Sequence, residues 1–301
     1  MKHHLITLLV LITFSGLSTQ PSLEVQEDLI HKTSLVAQLP KELDENSGLQ
    51  YINGYFYTFN DSGGDAKLYK LDLSSGKILQ KVQFSETKNQ DWEDIAYDGE
   101  HLYVADTGNN FGRRKDLTIY KIKLSQIGTD KKTKVPVESI RFSYPEQKTF
   151  KYSAPRMTNN FDAEALFYQN GKLHLFTKEW GSYLSTHYTV PIEQGSYEAT
   201  KIETFDAEGL ITGADVSDNK AVMVGYTKDA LVFLWKFWNF KDGKYFNGQK
   251  KKYILGWAPS IGQVEGVTFK DDTVYISCEY FKKKFFFQDV KQQLYRVSPL
   301  D

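Results

Sequence analysis

Residues 91–106 read Asp-Trp-Glu-Asp-Ile-Ala-Tyr-Asp-Gly-Glu-His-Leu-Tyr-Val-Ala-Asp, or DWEDIAYDGEHLYVAD. An acidic entry leads into a short apolar run, Asp98-Gly99 offers a tight turn, and Leu102-Tyr103-Val104 runs back towards a polar end. An Asp-Gly pair between two such runs marks a hairpin, because its residues accept the positive φ that a two-residue connection demands. The same phrase recurs four times, as ENSGLQYINGYFYTFND from Glu45, DAEALFYQNGKLHLFTK from Asp162, LITGADVSDNKAVMVGY from Leu210 and QVEGVTFKDDTVYISCE from Gln263. Turns fall at Asn53-Gly54, Asn170-Gly171, Asp218-Asn219 and Asp271-Asp272.

Outward from each hairpin, alternating runs predict third strands at 67–73, 117–122, 188–192, 231–237 and 293–297, and fourth strands at 78–84, 138–142, 201–205 and 252–255. Self-similar units of four short strands predict an all-β chain folded as a five-bladed β-propeller with four-stranded antiparallel blades. The last repeat has no fourth strand of its own, so 34–39 is expected to supply it and close the ring. Residues 144–161 lack a paired-strand signal and read as a loop rather than a sixth blade.

Lys2 precedes an apolar run over 5–14, with Gly16 and Ser18 following, which reads as a signal peptide over 1–18 ahead of a single domain over 19–301. The protein is thus expected to be exported, periplasmic or secreted, with no membrane span, since no other run approaches the length a span needs. Cys278 is the only cysteine, so disulfides contribute nothing. A formal charge of −1 speaks against nucleic acid as a partner, and a monomer is expected. The basic clusters Lys250-Lys251-Lys252 and Lys282-Lys283-Lys284, the latter beside Phe285-Phe286-Phe287, read as solvated segments.

Aligned on their first apolar residue, the five entries place Ser47, Glu93, Glu164, Thr212 and Glu265 at one equivalent position, spaced by 46, 71, 48 and 53 residues. First strands line a propeller's channel, so these residues would form a ring about one axis. Like charges in a narrow channel repel and are costly to desolvate, which a cation would relieve. Hard oxygen donors without His or Cys suit calcium, so Ca2+ is the expected cofactor. Asp91 and Asp94 are expected to serve the strand entry.

The entries SGL, EDI, EAL, TGA and EGV resemble the calcium-activated nucleotidase (soluble apyrase) family, a five-bladed propeller whose central calcium is held at these blade positions; Thr212 stands where that pattern has Ser. The resemblance implies that Ser47, Glu93, Glu164, Thr212 and Glu265 are ligands or near-ligands, and that hydrolysis of phosphoanhydrides is the related activity. Over nearly the whole mature chain, ENSGL, NDSGGDAKLY, DWEDIA, DTGNN with Arg113-Arg114, NFDAEAL, TKEW, GLITGA and QVEGV are similar to a group of exported bacterial propeller proteins that has no settled activity.

Loops from second to third strands open on the same face as the entries and cluster polar and aromatic residues over the channel, where propellers place ligands. Asp61 or Asp106 would orient an attacking water, and Arg113 or Arg114 would neutralise a leaving phosphate. Asn109, Glu179, Trp180 and Tyr280 are ligand-binding candidates, for a small molecule, a nucleotide or a glycan. Asn/Asp/Gly loops also exist simply to turn the chain. A non-catalytic carbohydrate- or protein-binding propeller with a structural cation, a glycosidase built on paired carboxylates, and an interaction scaffold all stay open, since fold analogy does not choose between them. No GxSxG, P-loop or HExxH occurs, and His31, His101, His174 and His187 show no metal spacing. Trp235, Trp238 and Trp257 are expected to fill blade interfaces.

Overall fold

The computed structural model describes residues 30–150, 157–283 and 288–300. The expected signal peptide and residues 284–287 of the basic-aromatic cluster lie outside them. The elements in chain order begin with β1 (Thr33–Gln38), then β2 (Asn46–Ile52), β3 (Tyr55–Asn60), β4 (Lys67–Asp72) and β5 (Ile78–Phe84). Next come β6 (Trp92–Tyr97), β7 (His101–Asp106), β8 (Thr118–Lys123), β9 (Lys132–Val135) and β10 (Glu138–Ser143). The middle of the chain holds β11 (Ala163–Gln169), β12 (Lys172–Thr177), β13 (Ser185–Pro191), β14 (Gly195–Glu198) and β15 (Thr200–Phe205). It continues through β16 (Leu210–Ser217), β17 (Lys220–Tyr226), β18 (Leu231–Trp238), β19 (Gln249–Trp257) and the short helix α1 (Ala258–Ile261). The last elements are β20 (Gln263–Lys270), β21 (Thr273–Glu279), β22 (Phe281–Lys283), β23 (Gln288–Val290) and β24 (Gln293–Val297).

Five antiparallel blades follow, β2-β3-β4-β5, β6-β7-β8-β10, β11-β12-β13-β15, β16-β17-β18-β19 and β20-β21-β24-β1. The N-terminal strand completes the fifth, with Thr33 opposite Val297 and Gln38 opposite Gln293. The turn chemistry works as its residue types require: Asn53 and Gly54 have φ of 49° and 89°, and Asn170 and Gly171 have 51° and 76°. Between 144 and 161 the described residues hold no strand, as expected of a loop.

Four strands had no forerunner in the sequence pattern: β22 and β23, which pair with each other, and β9 and β14. β9 adds in parallel to the outer edge of β5, and β14 adds in parallel to β10, so the second and third blades each lend a strand to the blade before. Both are four residues long, and both cover an outer edge that would otherwise present unpaired backbone groups.

The apolar core is five slabs, one at each blade interface. Trp92 joins Phe59 and Phe84 between the first two blades, and Tyr144 packs with Phe142 and Tyr188 between the next two. Phe176, Phe237 and Tyr245 fill the third interface, Val264 and Tyr253 the fourth, and Leu43, Phe56 and Leu294 the closing one. Trp235 lies in the third slab, but Trp257 does not fill an interface: it is 41% exposed and donates to the Asp229 carbonyl. As the last residue of β19 it sits at the sheet edge, where the neighbouring blade no longer covers it.

The first strands abut in a closed circle, β2 against β6, β6 against β11, β11 against β16, β16 against β20 and β20 against β2. Small residues permit this approach. A Cβ on Gly266 would come within 2.8 Å of the Leu49 Cβ, and one on Gly48, which has φ of 60°, would meet the Phe59 ring and the Asp94 backbone. Asp94 itself is fully buried and crosses the axis. It accepts from the Ile95 N–H at 2.8 Å, from Leu166 N–H at 2.9 Å in the third blade and from Ala214 N–H at 3.1 Å in the fourth. Asp215 links the fourth blade to the fifth through Thr268 and the Phe269 N–H, and Thr268 in turn accepts from the Tyr51 N–H of the first. Asp94, expected at the strand entry, is therefore a tie across three blades.

His174 and His187 form a buried pair, Nδ1 to Nε2 at 2.8 Å, and burial pushes His174 down to about 3, with His187 adding to the effect. A histidine held neutral in the fold takes up a proton on unfolding, so its contribution is complete above the ordinary value of about 6.5 and is lost as pH falls towards 3. Referenced to His174→Gln at the same pH, the wild type should lose up to about 1.4 kcal/mol of unfolding free energy per pH unit below 6.5; a flat difference would disprove the neutral pair. Asp94→Ala strands three backbone N–H groups and should lower the unfolding free energy by about 3 kcal/mol or more in urea titrations; an unchanged midpoint would mean that the tie contributes nothing.

Candidate functional site

Each first strand carries a β-bulge, and the five bulges coincide with the five aligned residues. Pairing slips between Ser47 and Gln50 in β2, between Trp92 and Ile95 in β6, between Ala163 and Ala165 in β11, between Ile211 and Gly213 in β16 and between Val264 and Gly266 in β20. The extra residue is Glu164, Thr212 or Glu265 in three blades and lies beside Ser47 or Glu93 in the other two. A bulge turns its side chain out of the ordinary alternation. Ser47, Glu93, Glu164, Thr212 and Glu265 are all buried at this end of the channel.

Their surroundings separate them. Ser47 Oγ donates to the Glu93 carbonyl at 2.7 Å, and Thr212 Oγ1 donates to the Val264 carbonyl at 2.7 Å, so both hydroxyls tie one blade's entry to the next. Glu164 forms a buried ion pair with Lys178, Oε2 to Nζ at 2.5 Å. Glu265 accepts from Gln263 Nε2 at 2.6 Å. Glu93 is 5% exposed, and no described residue donates a hydrogen bond to its carboxylate.

What gathers around Glu93 comes partly from outside the aligned ring. Oxygens of Asp61, Asp91 and Glu93 lie within 4.8 Å of one another, and so do those of Glu93, Asp162 and Glu164. Asp61 Oδ1 is buried without a partner. Gly108 closes the first triad from the side: a Cβ there would come within 2.1 Å of Glu93 Oε1 and 2.4 Å of Asp91 Oδ2. Asp162 accepts from the Asn109 N–H at 2.5 Å and from Trp180 Nε1 at 2.8 Å.

The electrostatics follow from crowding and dryness. Burial, then Glu164 and Asp61, push the Glu93 carboxyl well above the ordinary range. Asp61 is raised well above it by burial and then by Asp91. Burial and Asp162 push Asp91 up to about 7, against the pull of Arg114. Glu164 and Glu279 are raised well above the ordinary range, again with burial first. Lys178 is held well above its usual value although burial opposes it, because Glu164, Tyr226, Glu265 and Asp162 favour the ammonium. The acids of this face thus have Lys178 buried among them and Arg114 beside Asp106 and Asp91, and otherwise repel each other.

The loop candidates are largely engaged with one another. Asp106 pairs with Arg114 at 2.7 Å, and Arg114 also bonds Asp116 and the Gly108 carbonyl. Asn109 is buried, accepts from the Arg113 and Arg114 N–H groups and donates to the Phe161 carbonyl. Glu179 accepts from Thr177, Thr186 and Ser182. These residues hold the loops that frame the triads. Arg113 lies over the Phe111 ring at 4.1 Å, and Tyr280 meets the Lys291 ammonium at 4.4 Å, both towards the rim. Sequence alignment on one position per entry passes over Asp91 and Asp162. Each lies two residues before Glu93 or Glu164, so the Asp-x-Glu spacing shared by these two entries carries the signal. Lys178 had none, since its approach to Glu164 depends on how β12 closes on β11.

No family model matches the chain. No curated protein matches it either. Among solved structures it is similar to a chain of a mitotic checkpoint complex, at 10% identity over 96% of this chain and 99% of that one, with a TM-score of 0.41. It is also similar to hydrazine synthase of Kuenenia stuttgartiensis, at 12% identity over 77% of this chain and 61% of that one, TM-score 0.40, and to the computationally designed Ika8 protein, at 10% identity over 87% and 99%, TM-score 0.35. At such identity and overlap none of them bears on function.

Gly108→Ala tests the cradle. The backbone tolerates alanine there, so any effect is steric, and displacing the Asp91 and Glu93 carboxylates should cost about 1–3 kcal/mol in denaturant unfolding; a wild-type midpoint would mean that the triad is looser than the geometry indicates.

Proposed function

We propose that this protein is an exported five-bladed propeller that holds a hard divalent cation of the calcium type between Asp61, Asp91 and Glu93, and that an anionic small molecule binds on the open side of this site. The observation that carries the reading is Glu93: a buried carboxylate that receives no hydrogen bond from a described residue, facing Asp91 and the unpartnered Asp61 Oδ1 across a glycine that leaves no side chain between them. The donors are all carboxylate oxygens, the set that hard cations prefer. Asp61 and Asp91 are only half-buried, so a ligand can reach this triad from the loop face.

Of the five residues expected as ligands, Glu93 belongs to this set and Glu164 to the neighbouring triad, while Ser47 and Thr212 donate to the next blade's carbonyls and Glu265 accepts from Gln263. A bound cation supplies neutralisation of the carboxylates and polarisation of a phosphate oxygen. The chain's own part is to hold that charge fixed: β6 and the loop after β3 bring the carboxylates together, Asn109 and Trp180 orient Asp162 behind them, and the Asp106–Arg114 pair anchors the loop that carries Gly108. Hydrolysis of a phosphoanhydride, as in the apyrases, is the reaction such a site would serve. A non-catalytic binder is favoured by one observation: Asp106 and Arg114, the residues best suited to orient water and meet a phosphate, are engaged with each other.

Calcium at 100 times its dissociation constant should stabilise the fold by about 2.7 kcal/mol and raise the melting temperature by several degrees over protein in chelator. Glu93→Gln should abolish the shift, and Glu265→Gln should retain most of it. Equal melting with calcium and chelator would end the cation reading. Phosphate release from nucleoside diphosphates that depends on calcium supports the hydrolase; a calcium shift with no release, together with glycan binding, decides for the binder.

A further inference from the structure

The two carboxylate triads share Glu93 and have the same formal charge, yet they differ in one respect. The triad of Asp61, Asp91 and Glu93 has no lysine or arginine in ion-pair contact among the described residues, whereas the triad of Glu93, Asp162 and Glu164 has Lys178. Its ammonium is 2.5 Å from Glu164 Oε2, and both side chains are 5% exposed. Trp180 and Tyr226 face the same nitrogen, with ring centres at 4.7 and 5.3 Å, and the Lys178 N–H is fixed to the Asp162 carbonyl at 2.6 Å.

We infer that Lys178 is a built-in cation occupying a second metal position: the protein binds a single exchangeable divalent ion, in the Asp61–Asp91–Glu93 triad, and removing the lysine opens a second site for a hard divalent cation between Glu93, Asp162 and Glu164. This rests on the cation reading above and adds to it the number of ions and the residue that sets it. The physical argument is charge balance. Three buried carboxylates need a positive charge close by, and an ammonium held between two rings and a carboxylate supplies it without exchange, while the half-buried triad has only the more distant pull of Arg114, which is paired with Asp106. A divalent ion placed beside Lys178 would meet its repulsion at short range, so occupation by the lysine and by a metal exclude each other.

The test is stoichiometry on the full mature chain, by calorimetric titration with calcium and by metal analysis after equilibrium dialysis. Wild type should bind one calcium, Lys178→Ala two, and Lys178→Met with Glu164→Gln, which removes both charges and keeps the bulk, one. Lys178→Ala leaves Glu164 unpaired, so it is expected to be less stable in chelator and to regain its fold, read by circular dichroism, when calcium is added. Two calcium ions in wild type, a single ion in folded Lys178→Ala, or a Lys178→Ala chain that calcium does not refold would each overturn the inference. A wild type that binds none overturns the cation reading itself, so the two failures are distinct.

Discussion

Five strands that converge on one axis must bring their backbones close and leave little room for water, and the rest of this molecule answers that constraint. Where the strands meet, every blade has a bulge, and the residue at or beside it is a carboxylate or a hydroxyl. The hydroxyls Ser47 and Thr212 spend themselves on the next blade's carbonyl. Asp94 gathers three N–H groups from three blades and fills the centre. The remaining carboxylates cannot all be satisfied in this way, because a carboxylate accepts hydrogen bonds and its neighbours here are mostly other carboxylates.

Consequently charge accumulates on one face only. On the opposite face the turn acids Asp98 and Asp272 are lowered, the first, against the effect of burial, by the His101 N–H and the second by Lys220; at the entry face desolvation and mutual repulsion lift Asp61, Asp91, Glu93, Glu164 and Glu279 together. One lysine offsets part of this at Glu164, and the half-buried triad around Glu93 is left without such a partner. The ring of blades thus sets up an electrostatic demand that is local, directional and open to solvent on one side.

The loops over this face are less a set of reactive groups than a frame. Asp106 with Arg114, Asn109 with the Arg113 and Arg114 backbone, and Glu179 with three hydroxyls each close a loop on itself. Their effect on the site is indirect: they fix Gly108 against Glu93 and Asp91, and they fix Trp180 and Asn109 against Asp162. Residues of the kinds that carry chemistry elsewhere here carry geometry.

The repeat itself determined the fold. A hairpin whose turn needs positive φ, followed by alternating strands, recurs five times, and such units bury their apolar faces against each other when they repeat radially in a ring. The aligned entry residues were legible for the same reason, since a repeat carries its own internal comparison. Tertiary structure alone decided which of them share a site. Asp91 and Glu93 lie two residues apart at one blade entry, but Asp61 reaches them from another blade, and whether Glu164 meets a cation or a lysine depends on the closure of β12 on β11. The added strands β9 and β14 were invisible because KTKV and GSYE each hold a single apolar or aromatic side chain, too little for a pattern until a sheet edge offers one. Local periodicity encodes what each strand buries; the meeting of charges across an axis is a property of the closed ring, where distance through space has no counterpart in distance along the chain.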